Sequence, residues 1–164
     1  MENLKQQIQN DLKEAMKNKD AFLLSVLRLV STSIRNKVID MRTKLAKSEP
    51  MEKLDELSQL TDEEAIGVMA TEVKRRKDAS QEYETGGRPE LAEKEKKEAE
   101  LLMKYMPEQM TEDEIRKLVI EAVKNSGAAS IKEMGKVMAV LMPKVKGKAD
   151  GSMVQKIVQE ELGK

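Results

Sequence analysis

The sequence has no cysteine, no histidine and no tryptophan. Without cysteine there are no disulfides and no thiolate chemistry, and without histidine there is no imidazole to shuttle protons. Together the two absences exclude a zinc site built from the usual nitrogen and sulfur ligands, so only a carboxylate site for a hard cation stays formally open. No apolar run approaches the roughly 18 residues of a membrane span, and the opening "MENLKQQIQNDLKEAM" lacks the apolar core of a signal peptide. A soluble, cytoplasmic protein is expected. Aromatics are scarce as well, with two tyrosines and one phenylalanine among 164 residues.

What is present is charge and methionine: 30 basic residues, 30 acidic residues and twelve methionines. A chain rich in Ala, Glu, Lys, Leu and Arg and poor in aromatic residues has the composition of solvated helices. The expected fold class is all-α, with almost no strand. A net charge of zero also bears on partners, because proteins that hold nucleic acid through bulk charge are usually basic. Any such binding must come from local patches.

Apolar residues recur at helical spacing. Leu4, Ile8, Leu12, Ala15 and Met16 mark a first amphipathic helix. Asp20 is placed to cap a second, which carries Leu23, Leu27, Val30, Ile34, Val38, Met41 and Leu45, and the two are expected to pair as an antiparallel hairpin. Residues 46–60 contain Pro50 and no clear period, and read as a flexible connection with one short helical turn. Thr61 to Glu64 spells a capping box, opening a helix to about Tyr83 that Gly86 and Gly87 end. Pro89 starts the next helix, whose 93–98 stretch is all Glu and Lys and predicts an exposed bridge ended by Pro107. Thr111 to Glu114 and Ser130 to Glu133 spell two further boxes, the helix after the second stopping before Pro143, and Asp150 or Ser152 caps a last helix. The expected organisation is an N-terminal helical domain over 1–88, a charged helical linker over 89–110 and a C-terminal three-helix bundle over 111–164.

Sites of known chemistry are poorly matched. In "PKVKGKADG" (143–151) Gly147-Lys148 is followed by Ala149, and Met142 stands where a P-loop has its first glycine, so the phosphate loop of nucleotide hydrolases is excluded. No Gly/Ser-rich setting for a serine–lysine nucleophile occurs. Carboxylates such as Asp62, Glu63 and Glu64 belong to a charged helical surface. No catalytic residue, metal site or cofactor is assigned.

Basic clusters remain. Between Lys132 and Lys156 six lysines stand against Glu133 and Asp150, a local excess of four positive charges. If "PKVKGK" is extended, its alternation sends Lys144, Lys146 and Lys148 one way, toward an anion that would also meet the amides near Gly147 and Gly151. The competing reading is a helix–helix turn kept wet by its lysines. A second cluster, Arg28, Thr32, Arg35 and Arg42, borders the apolar stripe of the second helix, where arginines commonly snorkel or pair with acids. Lys74 to Lys77 spreads four charges around one helical turn. Of these, Arg76 falls in the register of Met69, Val73 and Tyr83, which demands a carboxylate or a site.

"LRLVSTSIRN" (27–36), "VKRRKDASQEYETGGRPELAEKE" (73–95), "YMPEQM" (105–110) and "MGKVMAVLMPKVKGKADGSMVQKIV" (134–158) together resemble the bacterial GatB/YqeY family in its free-standing form. The resemblance implies two different three-helix domains joined by a long, partly helical linker. It further implies kinship with the GatB tail of the tRNA-dependent amidotransferase, a tRNA-contacting module, and hence a carbon–nitrogen ligase label with glutamine as amide donor. The catalytic parts of that enzyme are not in this chain. The implied partners are tRNA and an amidotransferase or other aminoacyl-tRNA machinery. The contacts would come from Lys136, Lys144, Lys146 and Lys148, with Arg28, Arg35 and Arg88. The alternative is a protein-interaction adaptor that docks through a methionine-rich helix face, Met134, Met138 and Met142.

Overall fold

The computed structural model describes residues 3–163. All regular structure among them is helical, as the composition predicts. Contacts divide the chain into two compact units, Met1–Tyr105 and Met106–Lys164. No helix of the described residues is long and apolar enough to cross a membrane.

The first unit starts with α1 (Leu4–Asn18), capped by the Asn3 side chain, which accepts from the Gln6 amide at 2.9 Å. Lys19 then takes a left-handed conformation (φ 55°), and the Asp20 N–H reaches back to the Ala15 carbonyl at 2.9 Å, closing the helix end. Asp20 caps α2 (Ala21–Leu45). So short a link makes α1 and α2 antiparallel, and they pack through Leu4, Ile8, Ala15, Val26, Leu27 and Val30. Met16, still inside α1, is exposed. Residues 46–60, expected as a flexible connection with one short helical turn, hold that turn and are tied down by it. A 3-10 turn (Met51–Lys53) leads into α3 (Leu54–Leu57), Leu54 and Leu60 are buried, and Arg42 of α2 pairs with Asp55.

Helix α4 (Asp62–Thr85) opens on the predicted capping box, in which the Thr61 amide donates to Glu64 at 2.8 Å and Thr61 Oγ1 accepts from the Glu64 amide at 3.2 Å. Pro89 is the first residue of α5 (Pro89–Met103). This charged helix packs along α4 within the first unit. Ala92, Glu98, Ala99 and Leu102 form a buried stripe, and Ser80 Oγ donates to the Ala92 carbonyl at 3.0 Å. Of 93–98, expected to be exposed, Glu93, Lys94, Lys96 and Lys97 are so, while Glu98 is buried beside Ala99 on the side that meets α4. Tyr105 closes the unit by donating to Asp11 at 2.6 Å, and burial followed by that carboxylate raises its pKa.

The second unit is a bundle of α6 (Glu112–Ser126), α7 (Met134–Val145) and α8 (Gly151–Leu162), each touching the other two. Its core is Ile115, Val119 and Ala122 of α6, Val137, Leu141 and Val145 of α7, and Val154, Ile157 and Val158 of α8, with Met134, Met138 and Leu118 packed around it. Thr111 and Glu114 form the second capping box, and Gly127 (φ 65°) ends α6 in the left-handed region that favours glycine. The third expected box does not form. Glu133 turns its carboxylate to the Ala129 amide at 2.9 Å and to Lys136, and Ser130 leads into a 3-10 turn (Ile131–Glu133) with no side-chain cap. Helix α7 also runs past Pro143, where the sequence predicts a stop. Pro143 and Ala139, the residue whose carbonyl loses its partner, both lie on the exposed side, while Val145 two residues on is buried in the core.

Candidate nucleic-acid interface

The lysines of 143–151 stand on a tight turn. Lys144 belongs to the last turn of α7, Lys146 follows with φ −57° and ψ 122°, and Gly147 has φ 75°. The extended alternation expected to align Lys144, Lys146 and Lys148 therefore does not arise. The Lys148 and Ala149 amides both donate to the Val145 carbonyl, at 2.9 and 3.1 Å. The outside of the turn is stapled to the segment before α6: Gln109 Nε2 donates to the Gly147 carbonyl at 2.9 Å, and the Met110 amide donates to the Lys148 carbonyl at 2.7 Å. With Val145 and Gly147 buried, the turn has a fixed backbone from which Lys146 and Lys148 project exposed side chains.

The charges are unequal in availability. Lys136 pairs with Glu133 at 2.6 Å and Lys144 with Glu121 of α6 at 3.3 Å. The Glu133 carboxyl lies below the ordinary glutamate range because the Ala129 amide, and then Lys136, favour its ionised form. Lys146 and Lys148 have no carboxylate partner among the described residues. The amides expected to join them are partly engaged. Asp150 caps α8 by accepting from the Ser152 amide at 2.8 Å and from the Ser152 hydroxyl, so a carboxylate of the chain already sits at that helix start.

Arg28 and Arg35 lie on α2 in the first unit, seven residues and so two turns apart on one side, exposed and without an acidic partner among the described residues. Arg88 stands exposed at the start of α5, its backbone amide donating to the Tyr83 carbonyl at 2.9 Å. Arg42 is occupied by Asp55. Arg76 is buried and satisfied: Nε donates to Glu98 at 3.1 Å and NH1 to Glu72 at 2.6 Å, and Glu72 also accepts from Ser33 at 2.9 Å. It is a structural ion network joining α2, α4 and α5. No cluster of three or more acidic side chains able to hold a metal occurs among the described residues.

Three participants escape a reading of the sequence. Glu121 neutralises Lys144 from 23 positions away, and Gln109 and Met110 hold the turn from nearly 40 positions away. Only the fold brings them together. Asp150 was legible as a cap, and its consequence for an incoming anion follows from that role.

The chain matches the Yqey-like protein family over residues 5–162. Two curated relatives carry the name "Altered inheritance of mitochondria protein 41, mitochondrial". That of Pyrenophora tritici-repentis is 30% identical over 159 residues, covering 95% of this chain and 79% of the relative. That of Candida glabrata is 32% identical over 102 residues, covering 62% of this chain and 48% of the relative, so the matched part is about half of that protein. By the extent of the family match, this chain belongs to the Yqey-like protein family.

Proposed function

We propose that this protein is a non-catalytic accessory module that grips the phosphate backbone of tRNA, in the manner of the amidotransferase GatB tail that its sequence resembles. The observation that carries this reading is the stapled turn, on which Lys146 and Lys148 stand exposed and unneutralised on a fixed backbone. Two ammonium groups held at one place lose little backbone freedom on meeting a phosphate backbone, and lysine contacts to phosphate position an RNA without reading its bases. With only three aromatic residues in the chain, recognition rests on shape and charge more than on base stacking. Lys144 and Lys136 join after exchanging Glu121 and Glu133 for phosphate, and Arg28, Arg35 and Arg88 supply further contacts. The carbon–nitrogen ligase label then describes the partner machinery, and the proposed setting is the cytoplasm, although the named relatives are mitochondrial proteins.

The test is tRNA binding by the Lys144→Ala, Lys146→Ala, Lys148→Ala triple variant at several salt concentrations. Affinity is expected to fall, and the slope of log K against log salt to flatten by roughly 0.7–0.9 for each lost contact. Unchanged affinity and slope would remove the turn from the interface. A second reading, a protein adaptor, has one observation in its favour: Met142 and Met153 are exposed on α7 and α8. Met134 and Met138 pack against the core, which leaves the expected methionine face with one of its three members free. A salt-insensitive protein complex formed without RNA would favour the adaptor.

A further inference from the structure

A separate feature of the first unit is a cleft of about 300 Å³ between α1 and α2. Its apolar lining is Ile8, Ile34 and Val38; its polar lining includes Lys5, Ser31 and Arg35. Ile8 is buried and the other two are half-buried, so the cleft has an oily wall that solvent only partly reaches. None of the described residues that line it is acidic. Lys5 is held in place by donating to the Leu60 carbonyl, which leaves its charge unneutralised. Arg35 and the Ser31 hydroxyl have no side-chain partner among the described residues.

Two cations and a hydroxyl beside an aliphatic wall match a ligand that is anionic at one end and apolar along its body. We infer that this cleft binds a small amphiphilic monoanion, a carboxylate on a short aliphatic chain. The cleft's volume lies near the lower end for ligand sites, which suits a small molecule. The guanidinium fork of Arg35 takes the carboxylate as a paired acceptor, Lys5 adds a second charge, and the chain lies against Ile8, Ile34 and Val38. The wall matters as much as the charge. An RNA phosphate has no apolar body to place there.

The inference is independent of the lysine turn, and the experiment keeps the two apart. The full-length protein is titrated with butyrate, hexanoate and octanoate in the absence of RNA, by calorimetry and by amide chemical shifts, with octylamine as the cation of matching length. Affinity is expected to rise by about fourfold for each buried methylene, with shifts concentrated on α1 and α2. Arg35→Gln, at an exposed position that does not threaten folding, is expected to weaken octanoate by about tenfold or more, the loss typical of a charge-assisted hydrogen bond. The lysine triple variant should bind octanoate as the parent does. The inference is overturned by octylamine binding as well as octanoate, by affinity that ignores chain length, or by an Arg35→Gln protein with undiminished octanoate affinity. It is equally overturned if Arg35→Gln weakens tRNA alone, which would assign the arginine to the RNA surface.

Discussion

Arg76 takes a full charge into the interior of the first unit, where its side chain is 6% exposed and those of Glu72 and Glu98 are 12% and 9% exposed. Replacing it with Met leaves two carboxylates desolvated and unmatched, and is expected to cost about 3–5 kcal/mol. Replacing all three residues with apolar ones of similar size should recover most of that loss, and urea denaturation of the single and triple variants measures both. The helical register announced this arginine, and Glu72, four residues before it, is visible in the sequence. Glu98 is not, since only the packing of α5 on α4 brings it near. A milder test concerns Lys19, the one non-glycine residue with positive φ among those described. Lys19→Gly relieves the crowding of a Cβ in the left-handed region and is expected to stabilise the protein by up to about 1 kcal/mol, read from the thermal midpoint.

Helix starts were the most legible elements, because a capping box is a local pattern with a local payoff. Thr61 with Glu64 and Thr111 with Glu114 form as written. Ser130 with Glu133 fits the same pattern and fails, since Glu133 finds the Ala129 amide and Lys136 closer to hand. These boxes predict a pH effect. The Glu114 carboxyl is held below its ordinary value, first by the Thr111 amide and then by the Thr111 hydroxyl. A carboxyl with a lowered pKa in the folded state contributes stability above its unfolded value, and that contribution fades as pH falls below about 4 and through the folded value. Glu114→Gln should therefore flatten the acid limb of the stability curve of the second unit, and an unchanged limb would contradict the assignment. Pro143 illustrates the opposite limit of sequence reading. A helix stop is its usual meaning, yet the buried Val145 beyond it makes continuation worthwhile. Giving the position an N–H, as in Pro143→Ala, should stabilise α7 by about 1 kcal/mol, visible in the denaturant midpoint.

At the scale of the molecule, the all-α class followed from composition. Residues 106–164 hold a core of their own, so that segment of about 60 residues, expressed alone, should unfold cooperatively with a helical circular dichroism signal. A featureless melt would show that its packing depends on the rest. Within this core Leu141→Ala is expected to cost about 2–5 kcal/mol, measured by urea denaturation. The lysine surface was less legible, because counting charge along the sequence cannot see Glu121 folding back onto Lys144. Asp150 adds to the same surface a feature that charge counts miss. A carboxylate tethered beside the first amides of α8 is a resident competitor, present at an effective concentration that free inorganic phosphate in a cell does not match. A free anion reaching that helix end has to displace the carboxylate first. The cap thereby makes the start of α8 an anion site that the chain itself has filled.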